Sequence, residues 1–139
     1  MRSRMDRLRH MLLFELFALA TTIPAGSALF GLHESAMGII GVGSAITAMV
    51  WNYLYNLGFD RVMVRLYRTT HKSMLVRGVH TVLFEAGLQL VLVPGIALYT
   101  HASMVATLPL SLSLALFYLG YAFVFNLAYD RVFPLPSRG

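Results

Sequence analysis

Four apolar runs, each long enough to cross a bilayer, leave this chain few folds to choose from. A hydrocarbon core of ~30 Å needs about 20 mainly apolar residues in a helix. The runs cover residues 11–32, 36–59, 79–99 and 104–127. Backbone groups in lipid must be satisfied within the spanning structure, which favours helices. The expected fold is an all-α membrane protein, a single membrane domain over residues 1–139 with four transmembrane helices. Composition agrees: 58% of residues are hydrophobic and 12% charged, about half the charged share of an ordinary soluble domain. That excludes disorder and argues strongly against a soluble globule. The first run reads as a span, not as a cleaved leader. It is long, it contains Glu15, and no good cleavage site precedes a soluble stretch.

The connections carry the topology. Runs one and two are joined by a short turn around residues 33–35, and runs three and four by another around residues 100–103. Short connections make antiparallel neighbours. A longer polar stretch, residues 60–78, separates runs two and three, and the central loop 59–78 is expected to be the hinge between two helix pairs. Arg2, Arg4, Arg7 and Arg9 precede run one. Arg61, Arg65, Arg68, Lys72 and Arg77 lie between runs two and three, and Arg131 and Arg138 follow run four. These are all 11 Lys and Arg residues of the chain. The positive-inside rule therefore places both termini and the central stretch in the cytoplasm. Basic residues against anionic lipid also explain the net charge of +5 without nucleic acid.

The chain repeats itself at an offset of 70 residues. Arg7, His10, Phe14, Glu15 and Pro24 superpose on Arg77, His80, Phe84, Glu85 and Pro94. Asn56, Asp60 and Arg61 superpose on Asn126, Asp130 and Arg131. Trp51, Tyr55 and Phe59 superpose on Tyr121, Phe125 and Tyr129, whereas Asn52 meets Ala122. Each repeat is thus a helix pair, residues 4–70 and 74–137. Two helices return the chain to its starting side, so the repeats are parallel, an arrangement known among transporters.

The patterns R-x-x-H-x-x-x-F-E closing on Pro, and W-N-x-x-Y-N-x-x-F-D, each echoed in the second half, resemble the proteobacterial antimicrobial compound efflux family. The four motif segments are residues 7–24, 51–60, 77–94 and 121–134, so the resemblance covers nearly the whole chain. Two departures are visible: Phe125 stands where Tyr is more usual, and Met63 where an acidic residue is often found. The resemblance implies two bacterial transmembrane pair units and proton-coupled efflux across the bacterial inner membrane. It implies cargo such as chlorhexidine, acriflavine or short-chain diamines, and it gives most weight to the first-helix glutamate.

Physical reading of the residues points the same way. Glu15 lies about five residues into the first run, roughly 7 Å into hydrocarbon. A carboxyl there is expensive and marks a functional site. One group that holds either a proton or a cation gives antiport by competition. Glu85 is its repeat mate, with Gln89 one turn further along the same face. The aromatics beside the amides, Trp51 and Tyr55 with Asn52, offer a wall for hydrophobic cations through cation–π attraction. Glu15, Trp51, Asn52, Tyr55 and Glu85 are therefore the candidate substrate-binding residues, with Glu15 the proton-coupling one.

Arg7, His10, Asn56, Asp60, Arg77, His80, Asn126 and Asp130 form a second group near the basic end. Each histidine reads either as a proton relay or as an anchor pairing with Asp60 or Asp130. The aspartates are expected at helix C-termini, where the macrodipole makes a basic partner necessary. The amides are expected to cross-link the two helix pairs. Gly38, Gly41, Gly43, Ser44 and Ala48 permit close helix approach or dimerisation.

The His and Glu residues are not spaced as helical metal ligands, so neither a metal nor a cofactor is expected. No nucleophile–base constellation or cofactor fingerprint suggests an enzyme, and the chain has no cysteine. Four helices enclose little space, which allows a homodimer without requiring one. The expected partners are hydrophobic cations or diamines, protons and membrane lipids. The competing reading is a small non-transporting membrane protein that binds a lipid or protein partner, with its polar repeats as glue.

Overall fold

A computed structural model describes residues 4–69 and 73–134. Arg2, Lys72 and Arg138, and the repeat boundaries at 70 and 137, lie outside the described residues. Four helices follow one another: α1 Arg4–Phe30, α2 Glu34–Tyr67, α3 Met74–Thr100 and α4 Met104–Val132. Each contains a window apolar enough to cross a membrane, and the protein is a multi-pass membrane protein. At 1.5 Å per residue, the 27 residues of α1 reach about 40 Å and the 34 of α2 about 51 Å. Both exceed the hydrocarbon thickness, so their ends project beyond it.

The expected hinge over residues 59–78 is corrected by that overshoot. α2 continues to Tyr67 and α3 begins at Met74, with Ser73 as its N-cap accepting from Val76 N. The apolar pattern stops at the membrane surface, but the helix does not, because its hydrogen bonds are internal. Asp60 consequently sits inside α2 rather than at its C-terminus. Of the two aspartates, Asp130 alone lies near the unfavourable end of a helix dipole, two residues before the end of α4.

The short turns repeat as the sequence does. Gly31 takes a left-handed φ of 66° after α1, and His101 one of 55° after α3. Both end their helices as left-handed caps, Gly31 N donating to Ser27 O and His101 N to Ala97 O. Pro24 and Pro94 fall inside α1 and α3 and remove the N–H that would pair one turn back.

The described residues group into two compact units that cut across the repeats. One comprises Met1–Gly41 with Leu112–Gly139, the other Val42–Ser111. In the first unit α1 packs on the opening turns of α2 and on the second half of α4. Gly26 lies under the Met37 side chain so closely that a Cβ would overlap it, and Gly38 and Gly41 approach Ile23 and Leu19. In the second unit α3 packs on the opening turns of α4 and the second half of α2. The core is thin: Ala18, Met37, Ile40, Leu88, Val93, Ile96, Ala97 and Leu110 are buried. Many large apolar side chains face outward, among them Leu16, Phe17, Leu90, Leu98, Leu119 and Phe123. In water such a surface would be sticky; here lipid covers it.

Candidate functional site

In the first unit, Glu15 is half-buried on α1. The Tyr118 hydroxyl of α4 donates to Glu15 Oε1 across 3.3 Å, long for an O–H···O bond. Rings surround this level. Phe14 lies 4.9 Å from Tyr121 and 6.2 Å from Tyr118 between centroids, and Phe117 stacks on Tyr121 at 5.3 Å. The Tyr121 hydroxyl donates to the Phe14 carbonyl at 2.7 Å. One turn towards the N-terminus, His10 Nε2 meets Asn126 Oδ1 at 2.8 Å, with its ring edge-on to Phe125 and Tyr129. At the end of the pair, Tyr129 Oη donates to Asp6 Oδ1 and accepts from Arg9 Nε. The Arg9 guanidinium lies 3.8 Å over the Phe133 ring.

The second unit repeats the plan with different residues. Trp51 Nε1 donates to the Phe84 carbonyl at 3.0 Å, the counterpart of Tyr121 on Phe14. Its indole lies against Gly87, where a Cβ would overlap it. Tyr55 Oη donates to the His80 carbonyl at 3.0 Å, and its ring packs edge-on to His80 and Phe84. His80 Nε2 meets Asn56 Oδ1 at 2.9 Å. Asn56 Nδ2 is turned to Asn52 O and Oδ1, both at 2.8 Å. An amide oxygen facing His80 makes Nε2 the donor of that bond. Glu85 is half-buried, and Gln89 Nε2 donates to its Oε1 at 2.7 Å. Ser111 Oγ in turn donates to Gln89 Oε1 at 2.5 Å.

The residues singled out in the sequence therefore divide. His10 with Asn126, and His80 with Asn56, are brought together across the repeats. Each histidine meets the asparagine one turn before the aspartate considered as its partner. Trp51 and Tyr55 have their polar tips committed to the α3 backbone. Arg7, Arg77 and Asp130 are exposed, as is Asn52. Asp60 lines an open groove on α2 with Leu57, Arg61, Val64 and Arg65. Sequence reasoning missed Tyr118, Ser111 and the Asp6–Arg9–Tyr129 group as site residues. Comparison of repeat mates carried the signal: Tyr118, Gln89 and Ser111 fall on Ala48, Leu19 and Gly41.

The model of the chlorhexidine efflux transporter family matches the chain twice, over residues 2–65 and 72–135. The chain belongs to that family. A short-chain diamines transporter of Vibrio parahaemolyticus is 37% identical over 132 residues, covering 95% of this chain and 93% of the relative. Short-chain diamines transporters of Acinetobacter baylyi and Acinetobacter baumannii are 28% and 29% identical over 126 residues. They cover 91% of this chain and 88% and 86% of their own lengths. No solved structure matches the chain significantly. Membership of the chlorhexidine efflux transporter family makes the protein an efflux transporter, not an enzyme. The motif resemblance to the proteobacterial antimicrobial compound efflux family is borne out.

Proposed function

We propose that the protein exports hydrophobic cations in exchange for protons, and that Glu15 is the group that carries either one. The observation behind this is the state of Glu15 itself. It is a half-buried carboxyl inside an apolar span that accepts one long hydrogen bond from Tyr118. A carboxyl so lightly held, beside the rings of Phe14, Tyr118 and Tyr121, is open to a cation or a proton. Family membership supports cargo of the chlorhexidine type, and the relatives' names support short-chain diamines; acriflavine rests on the motif resemblance alone.

In this cycle, deprotonated Glu15 takes the cation from the cytoplasmic side of a bacterial inner membrane. Outward opening exposes it to a more acidic medium, and protonation releases the cargo. Within the second unit, Glu85, Trp51, Asn52 and Tyr55 form a candidate set of substrate contacts of their own. His10–Asn126 and His80–Asn56 hold the helices in register. Proteoliposomes carrying an internal pH dye test this. Chlorhexidine or a diamine should drive proton movement through the wild type and not through Glu15→Gln. Equal responses from both proteins would remove Glu15 from the cycle. A folded wild type that binds no cation and moves no proton would favour the non-transporting alternative.

A further inference from the structure

The two carboxyls are repeat mates, yet their surroundings differ in kind. Gln89 stands at the centre of the third apolar run, and Ser111 is 1% exposed. A carboxylate only accepts, so the Gln89 amide nitrogen faces Glu85 and its oxygen is left for Ser111. The result is a chain of bonds running one way, Ser111 Oγ to Gln89 Oε1 and Gln89 Nε2 to Glu85 Oε1, at 2.5 and 2.7 Å. The first repeat is an internal control. There the same positions hold Leu19 and Gly41, with Leu19 Cδ2 packed towards the glycine. Helix packing at this level therefore needs no polar group, and an amide and a hydroxyl in hydrocarbon are unfavourable unless they serve something.

We infer that the Glu85–Gln89–Ser111 chain is a seat for a primary ammonium group, and that Gln89 and Ser111 tilt the transporter towards linear amines. This rests on the cation-transport reading above. Gln89 fixes the Glu85 carboxylate by one oxygen and leaves the other for a ligand. The Gln89 carbonyl keeps a second lone pair, held in place by Ser111. Two localised acceptors one helical turn apart match an ammonium, a compact charge with three N–H donors. A quaternary cation has no N–H donor on its charge and gains nothing from these acceptors. A flat aromatic cation such as acriflavine carries its N–H groups far apart on a delocalised ring system and does not present three donors on one compact charge. Ser111 is thus a positioning residue acting through Gln89, while Gln89 both orients Glu85 and offers its own carbonyl to the ammonium.

The test compares wild type, Gln89→Leu and Ser111→Ala in proteoliposomes, after each is shown to be monodisperse. The probes are 1,4-diaminobutane, its fully N-methylated bis-quaternary analogue, and acriflavine. For the diamine, Gln89→Leu should raise the half-maximal concentration about tenfold and Ser111→Ala about threefold, as loss of bonds to a charged group implies. The response to the quaternary analogue should stay at its wild-type level, and that to acriflavine should change by less than the diamine's. Equal loss for all three cations, or an unchanged diamine response, overturns the inference. Leucine already fills the matching place in the first repeat, and Ser111→Ala removes a single oxygen, so one variant at least remains readable. A wild type that moves no cation sinks the transport reading itself, a result seen before any variant is compared.

Discussion

Tyr118 holds Glu15 from α4 through a hydroxyl 3.3 Å from Oε1, at a position whose repeat mate is Ala48. The contact is too long to lock the carboxyl, but it places a ring beside it. Tyr118→Phe keeps that ring and removes the hydroxyl. Acriflavine affinity should fall by a factor of about three or less, since one weak neutral donor is lost. Tyr118→Ala removes the ring as well and should cost about tenfold or more, through lost cation–π attraction. Equilibrium binding to purified protein measures both. Identical losses would show that the ring is irrelevant.

Gly87 sets how closely α2 and α3 approach. The Trp51 indole occupies the space where a Cβ would stand. Gly87→Ala should therefore destabilise the protein by about 1–3 kcal/mol, as overpacking does. Trimming the indole in the double variant Gly87→Ala with Trp51→Phe should recover part of that loss. Thermal unfolding in detergent reads both values. An additive double variant would show that the two residues do not meet.

Spans, repeat and turns were legible in the sequence because hydrocarbon imposes them: length, apolarity and charge bias each leave a mark. The histidines and asparagines were legible as a group for the same reason, being rare polar residues in apolar helices. Their partners were not. His10 and Asn126 are 116 residues apart, and no local pattern states that α1 lies against the second half of α4. Tyr118 was hidden among many aromatics, and Ser111 among small residues that usually mean close packing. The helical course of residues 60–67 was masked because polarity marks the membrane surface, not the end of a helix.

The charge bias makes orientation a direct test. The chain has no cysteine, so single cysteines can be placed at will. In intact cells an impermeant maleimide should label Ser35→Cys, in the first turn of α2, and Ala102→Cys, between α3 and α4. It should leave Thr69→Cys unlabelled until the cells are broken open. The reverse pattern would invert the topology and, with it, the side from which Glu15 is loaded.

The repeats also allow the amine preference to be moved rather than removed. Leu19→Gln places an amide one turn after Glu15, as Gln89 lies one turn after Glu85. Gly41→Ser adds the hydroxyl that Ser111 supplies in the other unit. A Cβ at Gly41 would come 2.9 Å from Leu19 Cδ2, so the serine requires the partner change and the two belong together. With both, Glu15 acquires a localised acceptor beside its carboxylate while Tyr118 and Phe14 stay in place. The response to 1,4-diaminobutane should sharpen by about threefold to tenfold, the scale of one charge-assisted hydrogen bond. Acriflavine should not gain. The expected readout is a shift in the ratio of the two half-maximal concentrations in proteoliposomes. A folded double variant with an unchanged ratio would mean that the chemistry around each carboxyl does not set which cation is carried.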